Sequence, residues 1–389
     1  MRILFHHRIA STDGQFVHLT ELTRALRELG HEVLIVGPKI GESGALGETN
    51  NLISTLKKAI PSALYEVMEF TYSFIAALRL WQAARVFKPD VVYERYNLHL
   101  HAGRFVAKVI GRPFILEVNA PLAEERDVYG KLTLKTFAKW SDGVIWRSAH
   151  MALPVTNVLA DKLRKQGVKE DRITVIHNGA DLSQYQQTRA QCRKQINGIG
   201  ENDVVFGFVG FIRRWHGLSK VVDFIKSRPD LPIRAIFVGD GREDKDELEK
   251  QIDDLGLSEK IKITGFVNRE RIPTYVGAFD VALQPASTLY ASPLKLFEYM
   301  AAGCAILAPA TPNIKEVLKH ETSGLLFDPN SIESMVSCFQ RLCDDPTLRT
   351  VVGNNAKTLC KTFPYTWENN AKLVVSIAEK LATKASVSK

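Results

Sequence analysis

The stretch RILFHHRIASTDGQFVHLTELTRALRELGHEVLIV, residues 2–36, contains a complete strand–helix–strand unit. Arg2–His6 is a short apolar run that predicts a buried strand, and Glu32–Val36 predicts a second one. Between them, Phe16–Leu29 has the periodicity of an amphipathic helix, which Gly30 ends. Strands that alternate with helices in this way are typical of parallel sheets covered on both faces. The stretch therefore predicts a doubly wound α/β fold.

The same alternation continues along the chain and restarts once. Further strands of the first domain are predicted at Asp90–Tyr93, Pro113–Glu117, Met151–Val155 and Thr174–Ile176. The polar stretch Gln187–Asn197 is predicted as a linker. Strands of a second domain are predicted at Val204–Val209, Ile233–Val238, Ile261–Thr264, Val281–Leu283, Ala305–Leu307 and Gly324–Phe327. The sequence thus predicts two doubly wound domains, followed by an amphipathic helix at Trp367–Leu381.

The composition is that of an ordinary globular protein. Hydrophobic residues make up 45% and charged residues 24% of the 389 residues, which excludes a disordered or collagen-like chain. The five cysteines are scattered and form no CxxC pair, which argues against a secreted disulfide framework and a structural zinc site. The first apolar run is too short for a signal peptide, so we expect a cytoplasmic protein.

Basic residues outnumber acidic ones by 51 to 43, which gives the chain a net charge of +8. Such an excess suits phosphorylated small molecules, anionic lipid and nucleic acid equally well. The basic residues form only small clusters, and no segment combines them with the aromatic spacing of a known RNA-binding module. Nucleic acid is therefore not an expected partner.

The segment Leu52–Phe87 is helical by periodicity and unusually aromatic, and Pro61 must break or kink it. Arg79 and the short uncharged run exclude a membrane span. The favoured interpretation is a helix pair that packs on the sheet. The alternative is a peripheral membrane contact. In that case the segment touches lipid or a lipid-linked acceptor at the inner face of the membrane.

The stretch Ala291–Gly303 carries the clearest chemical signal. Ser292 is a good N-cap and Pro293 suits the first helical position, so a helix should begin there and offer an anion site at its N-terminus. Lys295 adds a cation for phosphate, and Glu298 shares its face and could accept hydrogen bonds from both hydroxyls of a ribose. The alternative is a capped surface helix with a Lys295–Glu298 ion pair.

The residues SPLKLFEYMAAGCAILAP resemble the donor-binding helix of the retaining GT-B glycosyltransferases in glycosyltransferase family 4. Other segments that resemble this family are VIHNGADLSQY (175–185), VGFIRRWHG (209–217), VGDG (238–241), ITGFV (263–267), IPTYVGAFDVALQP (272–285) and NIKEVLKHETSGLLFDP (313–329). GHEVLIV and KPDVVYERY in the first domain are also similar to it. The resemblance covers nearly the whole chain, with the family's order and spacing.

This resemblance implies a GT-B fold, in which two Rossmann-like domains face each other across a cleft. The acceptor-binding domain would span residues 1–187, the nucleotide-sugar-binding domain 188–365, and a helix and tail at 366–389 would cross back to the first domain. The implied activity is transfer, with retention, of a sugar from a nucleoside diphosphate sugar to a saccharide or lipid-linked acceptor. A UDP-sugar is the favoured donor and a GDP-sugar the second. No metal or other cofactor is expected. The expected biological role is the synthesis of cell-surface polysaccharide or glycolipid.

The resemblance also assigns residues to the nucleotide. Glu298 matches the second acid of the family's E-x7-E element, which holds the ribose. The first acid should fall at position 290, where this chain has Tyr290, and the loop at Ser292–Leu294, which includes Pro293, would then do more of the binding. Further donor-binding positions carried over from the motifs are Gly241, Phe266 and Val267.

The family holds the diphosphate with an Arg and a Lys, and this chain has Phe211 and His216 at those positions. Arg213 and Arg214 are close enough along the loop to substitute, and Lys295 supplies another charge. For the two arginines the alternative is a solvated loop, and for His216 a helix cap. Gly14, in the polar loop before the first helix, would let the backbone approach the donor phosphate or sugar.

In the first domain, Asn119 takes the place of a family His that contacts the donor sugar, although a loop-stabilising role is almost as well supported. Asn119, Lys295 and Arg213 are therefore the candidate catalytic residues. Glu117 and Asn119 follow one strand, and Glu94 and Arg95 end another, so these four are the candidate acceptor-binding residues. The alternative for Glu94 and Arg95 is an internal ion pair. Glu124 and Glu125 are further acceptor candidates.

Two other kinds of function stay open. A nucleotide-sugar epimerase or a phosphorylase of the same fold would need a catalytic acid pair or a pyridoxal lysine, and neither is evident. A catalytically silent basic protein that binds anionic lipid or nucleic acid is favoured by the uncharged Tyr290, Phe211 and His216. No GxGxxG follows the first strand, and the D-x-D at Asp244–Asp246 has the pattern of a solvated helix start, so neither a nicotinamide nor a metal site is predicted.

Overall fold

The computed structural model describes residues 1–10, 14–38, 61–128, 130, 132–200, 202–363 and 365–387. It divides into two compact units. Unit 1 comprises Met1–His177 and Trp367–Lys389, and unit 2 comprises Asn178–Thr366. The chain thus changes unit after residue 177, whereas the boundary predicted from the sequence lies after residue 187.

Unit 1 contains a five-stranded parallel sheet with the strand order β2-β1-β3-β4-β5. Its strands are β1 (Arg2–His6), β2 (Glu32–Val36), β3 (Val91–Arg95), β4 (Phe114–Val118) and β5 (Met151–Pro154). Its helices are α1 (Gly14–Glu28), α2 (Ser62–Phe87), α3 (Ala102–Ile110), α4 (Leu122–Val128), α5 (Lys135–Ser148), α6 (Asn157–Lys165) and α15 (Trp367–Val387). The C-terminal helix α15 packs against α1, so the two ends of the chain share this unit.

One predicted strand of this unit is wrong. Thr174–Ile176 contains no strand, although Ile173 forms an isolated parallel bridge with Ala152. The Thr174 and Ile176 amides still donate to carbonyl oxygens of β5, each at 3.0 Å. The segment therefore runs beside the last strand without forming a continuous ladder, which an apolar pattern alone does not distinguish from a strand.

Unit 2 contains a six-stranded parallel sheet with the order β11-β10-β9-β6-β7-β8. Its strands are β6 (Val204–Val209), β7 (Ile233–Val238), β8 (Ile261–Ile263), β9 (Val281–Leu283), β10 (Ala305–Pro309) and β11 (Leu325–Phe327). Its helices are α7 (Arg189–Arg193), α8 (Leu218–Ser227), α9 (Glu243–Asp254), α10 (Ile272–Ala278), α11 (Leu294–Ala302), α12 (Pro312–Lys315), α13 (Ile332–Asp344) and α14 (Pro346–Thr362).

The central strands of both sheets are buried on both faces, which explains their continuous apolar runs, whereas the edge strands β2 and β8 are partly exposed. Every residue of β6 and of β10 is buried. Helices pack so closely on the unit 2 sheet that β6 includes Gly207, at which a Cβ atom would lie 2.2 Å from the Phe279 ring. Strands of this kind end at a common edge, and the loops at their carboxyl ends form the usual ligand site of a doubly wound fold.

Helix α2 begins after Pro61, and the predicted helical segment before that proline lies outside the described residues. Its inward face carries polar side chains, since Glu66, Glu69 and Ser73 are buried. Its outward face carries large apolar side chains that are 43% to 58% exposed, namely Leu64, Val67, Met68, Phe74, Ile75 and Leu78. No helix in the described part of the chain is long and apolar enough to cross a membrane.

Candidate functional site

The loops that follow β6 and β7 pack against each other through their backbones. Gly239 has φ +143°, and a Cβ atom there would lie 2.1 Å from the carbonyl oxygen of Gly210. The Ile212 amide donates to the Asp240 carbonyl at 2.8 Å. A Cβ atom at Gly241 would lie 2.4 Å from the Ile212 carbonyl oxygen. Close packing of the two loops is therefore enough to explain Gly241, and its contact with a donor stays a prediction.

Helix α11 begins at Leu294 and has Pro293 at its N-cap, so the prediction that Ser292 caps it is wrong. The Ser292 hydroxyl instead accepts the backbone N–H of Asn178 at 3.0 Å. The Asn178 side-chain amide donates to the Ser292 carbonyl at 2.6 Å. No side chain among the described residues caps the first turn of α11, which leaves its N-terminal amides and the positive end of its dipole for another partner.

A second asparagine fixes the loop between β9 and α11. The buried Asn313 side-chain amide donates to the carbonyls of Ala291 at 2.7 Å and Thr288 at 3.0 Å. This loop also contains the partly buried Tyr290, which stands where the family has its first acid. Asn178 and Asn313 were not predicted as site residues, because their partners are distant in the sequence.

Lys295 lies in the first turn of α11, and its amine reaches the carboxyl end of β6. Its Nζ is 3.9 Å from the centre of the Phe208 ring, and a Cβ atom at Gly210 would lie 2.9 Å from it. Burial lowers the pKa of Lys295 to about 7, while the nearby Glu298 carboxylate opposes that shift. A lysine held in this way gains its proton more readily when an anion approaches.

Glu298 is buried, and its carboxylate forms an ion pair with Arg269. Among the described residues, Glu298 therefore pairs with Arg269 and not with Lys295, which was the alternative considered from the sequence. Arg269 begins the short 3₁₀ turn Arg269–Arg271 after β8. Sequence reasoning missed Arg269, and its position just after the ITGFV segment was the only signal.

The structure separates the two predicted arginines of the β6 loop. Arg214 is exposed, and its guanidinium binds the Glu247 carboxylate of α9 at 2.5 Å. Arg213 lies over the Phe211 ring at 5.5 Å and comes only within 4.0 Å of Asp244. Arg213 is therefore the better placed of the two to take a further anionic partner.

His216 is buried in the same loop, with its ring 5.1 Å from that of Phe208. Its Nδ1 accepts the backbone N–H of Arg213 at 3.2 Å. Burial, together with the charges of Lys295 and Arg213, lowers the pKa of His216 to about 3, against a hydrogen bond with the Phe211 backbone that acts to raise it. The imidazole is therefore neutral, and because Nδ1 accepts, its proton is on Nε2, which can donate to a ligand.

The two predicted donor-binding residues in the loop after β8, Phe266 and Val267, differ in solvent exposure. Phe266 is 52% exposed, whereas Val267 is partly buried against the core of unit 2. Thr264, just before them, is tied to the end of β7 because its amide donates to the Phe237 carbonyl at 3.0 Å. An exposed aromatic ring at this edge can stack on a flat ligand, and the nucleotide-binding role of both residues stays a prediction.

In unit 1, the predicted acceptor residue Glu117 is at the centre of a buried network. Arg95 donates to it at 2.6 Å, Tyr93 donates to it at 2.6 Å, and the Asn119 amide donates to the same carboxylate. His18 Nε2 lies 3.4 Å from Glu117. Burial acts to raise the pKa of Glu117, but His18, Arg95 and the hydrogen bonds lower it overall. The alternative of an internal ion pair thus describes Arg95, and Asn119 orients this carboxylate.

Glu94 is fully buried beside this network. Its carboxylate contacts His6 Nδ1 at 2.5 Å and accepts the Gly103 amide at 2.8 Å, so it stabilises the sheet edge from inside. Glu124 forms an exposed ion pair with Lys162 at 2.6 Å. The other acidic candidate, Glu125, has a pKa that burial raises.

Gly14 was predicted in the loop before the first helix, and it is instead the exposed first residue of α1; its contact with a donor stays a prediction. Among the described residues, no group of three or more His, Cys, Asp or Glu side chains is arranged to hold a metal ion.

Two family models together match most of the chain. The model described as Glycosyltransferase Family 4 matches residues 12–184, and the model described as Glycosyl transferases group 1 matches residues 191–359. The solved structure of Alr3699/HepE from Anabaena in complex with UDP has a TM-score of 0.77 at 18% identity and covers 98% of this chain and 100% of that one. At this identity the likeness establishes the fold alone.

Curated relatives are also similar to the chain. An uncharacterized glycosyltransferase, MJ1607 of Methanocaldococcus jannaschii, is 25% identical over 54% of each chain, so the match spans about half of that relative. The UDP-Gal:alpha-D-GlcNAc-diphosphoundecaprenol alpha-1,3-galactosyltransferase of Escherichia coli is 23% identical over 83% of each chain.

The two units with parallel, doubly wound sheets and their likeness to solved glycosyltransferase structures place the protein in the GT-B class, so the predicted fold class is confirmed. Within that class, the chain belongs to the family 4 glycosyltransferases, the group 1 glycosyl transferases.

Proposed function

We propose that this protein is a retaining, metal-independent hexosyltransferase, which moves a sugar from a nucleoside diphosphate sugar to a saccharide or lipid-linked acceptor. The observation that carries the proposal is the grouping of Lys295 with the uncapped first turn of α11, at the edge that also holds Arg213 and His216. A helix N-terminus and these side chains provide positive charge and N–H donors for a diphosphate.

The proposed donor is a UDP-sugar, with a GDP-sugar as the second candidate. Support comes from the Anabaena neighbour, whose structure contains UDP, and from the Escherichia coli relative, whose name specifies a UDP-sugar. Glu298 would accept hydrogen bonds from the ribose hydroxyls, while the ion pair with Arg269 holds the carboxylate in place.

In the proposed reaction, the bond between the anomeric carbon and the β-phosphate oxygen breaks. The acceptor oxygen bonds to that carbon on the same face, and its proton goes to the departing diphosphate. Lys295, Arg213 and the Nε2–H of His216 would stabilise the charge that develops on the leaving group, which is the task a metal performs in other transferases. Asn119 is the proposed donor to the transferred sugar.

The donor assignment is tested by thermal stabilisation with UDP, GDP, ADP and dTDP, each with EDTA and with Mg²⁺. A nucleotide at a hundred times its dissociation constant adds ~2.7 kcal/mol to the stability. We expect UDP to stabilise the protein in EDTA as well as in Mg²⁺, and Glu298→Ala to remove most of that effect. If no nucleotide stabilises the protein, the alternative of a catalytically silent basic protein takes its place.

The outward face of α2 favours a peripheral membrane contact as a second proposal. Its exposed apolar residues continue onto α3, where Phe105 and Val109 are exposed. In α2 the acidic side chains are the buried Glu66 and Glu69, and α3 has none, so the charge that these helices expose is positive. An apolar and cationic face matches the surface of an anionic bilayer, where a lipid-linked acceptor is found.

This contact is tested by sedimentation with vesicles of phosphatidylglycerol or phosphatidylcholine. We expect the protein to bind the anionic vesicles, and Ile75→Glu on α2 to weaken that binding at least ~tenfold. Val351→Glu, an equally exposed position in unit 2, is the matched control and should bind as the unchanged protein does. Equal binding of the two variants would exclude α2 as the contact.

A further inference from the structure

Three nitrogen-bearing side chains come together at the carboxyl edge of the unit 1 sheet. Arg8 follows β1, His99 follows β3 and Arg126 lies in α4 after β4, and these three strands are adjacent. Ligands of doubly wound folds bind at this edge. The predicted acceptor residues beside it, Glu117 and Arg95, already satisfy each other, so they offer a ligand few free hydrogen-bonding groups.

Arg8 has unused hydrogen-bonding capacity. Its Nη2 lies 3.6 Å from the Glu69 carboxylate of α2, and its guanidinium stacks over the Tyr72 ring at 4.9 Å. Its Nη1 is enclosed and has no hydrogen-bond partner within the described part of the chain. The side chain is still 21% exposed, so a ligand can reach the guanidinium.

Arg126 supplies the second guanidinium. It binds the same Glu69 carboxylate through both of its terminal nitrogens, one of them at 3.2 Å, and 27% of the side chain is exposed. Arg8 and Arg126 share the Glu69 carboxylate, and the second buried carboxylate nearby, Glu66, accepts the backbone amides of Thr133 and Leu134. The two guanidiniums thus have one carboxylate ligand between them, which leaves donor capacity on Arg8 for an anionic ligand.

His99 is fully buried next to these groups, and neither of its ring nitrogens has a partner among the described residues. Its ring stacks on Phe137, with the centres 5.0 Å apart. Burial lowers the pKa of His99 to about 4, and the nearby Glu69 and Arg126 carry opposing effects, so the ring is neutral and has one N–H to donate. An unpaired buried polar group of this kind is costly unless a ligand satisfies it.

His99 also has a backbone conformation that few residues other than glycine adopt, with φ +63°. The Ser73 hydroxyl of α2 donates to the His99 carbonyl and holds it there. Backbone strain of this kind is retained where the surrounding structure fixes the residue, and it concentrates at binding sites.

We propose that Arg8, Arg126 and His99 form a binding site for a phosphoryl group of the acceptor. The inference rests on the proposed function, since it names the chemistry of the acceptor. A phosphoryl group is favoured over a carboxylate because the inner face of α2 holds this cluster through Glu69 and Tyr72, while the outer face of the same helix is the proposed lipid contact. A lipid-linked acceptor has both parts, a phosphate for the cluster on the inner face of α2 and a lipid for the outer face.

The test uses inorganic pyrophosphate as the probe, with the full chain carrying Lys295→Met, which removes one of the donor-site charges in unit 2 and weakens binding there. The part of the remaining pyrophosphate binding that Arg8→Met removes is assigned to unit 1, and this result does not depend on whether UDP binds. We expect Arg8→Met to weaken this binding at least ~tenfold, because charge-assisted hydrogen bonds are lost. The methionine keeps an apolar stem over Tyr72.

Two further variants make the assignment specific. His99→Phe keeps the ring packing but removes the nitrogens, and we expect it to weaken pyrophosphate binding at least ~threefold. Lys165→Met removes an exposed positive charge of α6 elsewhere in unit 1 and should leave binding unchanged. If Arg8→Met binds pyrophosphate as tightly as the Lys165→Met control, the proposed site does not exist.

Three ligands distinguish the source of the phosphoryl group. Tighter binding of farnesyl diphosphate than of glucose 1-phosphate assigns the site to a lipid-linked acceptor, and the reverse order assigns it to a soluble sugar phosphate. Both results support the phosphoryl site, provided that Arg8→Met abolishes the difference. Tighter binding of glucuronate than of either phosphate would overturn the phosphoryl assignment in favour of a carboxylate.

Discussion

Replacement of Lys295 by methionine should make the unliganded protein more stable and at the same time remove nucleotide binding. Burial lowers the pKa of Lys295 from 10.5 to about 7. Below pH 10 the unfolded chain holds this proton more tightly than the folded one, so the lysine opposes folding. At 1.36 kcal/mol per unit, the cost at neutral pH is at most about 5 kcal/mol. Because the side chain is only partly buried, we expect methionine to recover about 2–4 kcal/mol.

The assay is thermal unfolding at pH 7, with and without UDP. Unit 2 is of a size at which each kcal/mol moves the melting temperature by ~2–4 °C, so the unliganded variant should melt roughly 4 °C or more above the unchanged protein. UDP affinity should fall about 10- to 150-fold with the lost charge-assisted hydrogen bonds. Lys262→Met, an exposed lysine of β8, is the control and should change neither quantity. A variant that melts lower and still binds UDP would refute the reasoning.

Three further predictions concern the same edge of unit 2. Because an anion binds the protonated amine of Lys295, UDP affinity measured by calorimetry should fall as the pH rises from 6 to 9, and affinity that rises would contradict the assignment. Arg214→Ala removes only an exposed ion pair with Glu247, so stability should change by less than ~1 kcal/mol and UDP affinity by less than about threefold. Gly239→Ala would place a Cβ atom 2.1 Å from the Gly210 carbonyl oxygen. We therefore expect the free energy of unfolding, measured in urea, to fall by ~3 kcal/mol or more. A fall below ~1 kcal/mol would show that the two loops can separate.

The fold was predictable because the strands of a doubly wound sheet are buried on both faces and form continuous apolar runs. Val204–Val209 and Ile233–Val238 were predicted with the bounds that the structure has. Thr174–Ile176 has a similar pattern and is not a strand, because the segment pairs with β5 through isolated hydrogen bonds only. Local pattern determines whether a segment is apolar, and the tertiary partner determines whether it joins a ladder.

The candidate site was predictable only in part. The sequence placed Lys295 and Glu298 on one helix face, but it could not show that Arg269 pairs with Glu298. Ser292 has the side chain of an N-cap, and it was predicted as one. Asn178, which is 114 residues away, takes that hydroxyl as its acceptor instead, and no local rule predicts such a competitor.

Charge alone also failed to separate similar residues. Arg213 and Arg214 are adjacent in the sequence, yet Arg214 is turned toward Glu247 while Arg213 stacks over Phe211. In unit 1 the acidic candidate Glu117 is enclosed by its own hydrogen bonds, and the buried polar groups without a partner in the described part of the chain belong to residues such as His99. Which groups are already satisfied is a property of packing, and it becomes visible only in three dimensions.

The central claim is that the N-terminus of α11 binds a nucleoside diphosphate, with Lys295 on the phosphates and Glu298 on the ribose. Calorimetric titration with UDP and with uridine separates the two roles. We predict that Lys295→Met weakens the binding of UDP but not of uridine, and that Glu298→Ala weakens both. If the unchanged protein does not bind UDP, or if both variants bind it as tightly as the unchanged protein, the account of this site is wrong.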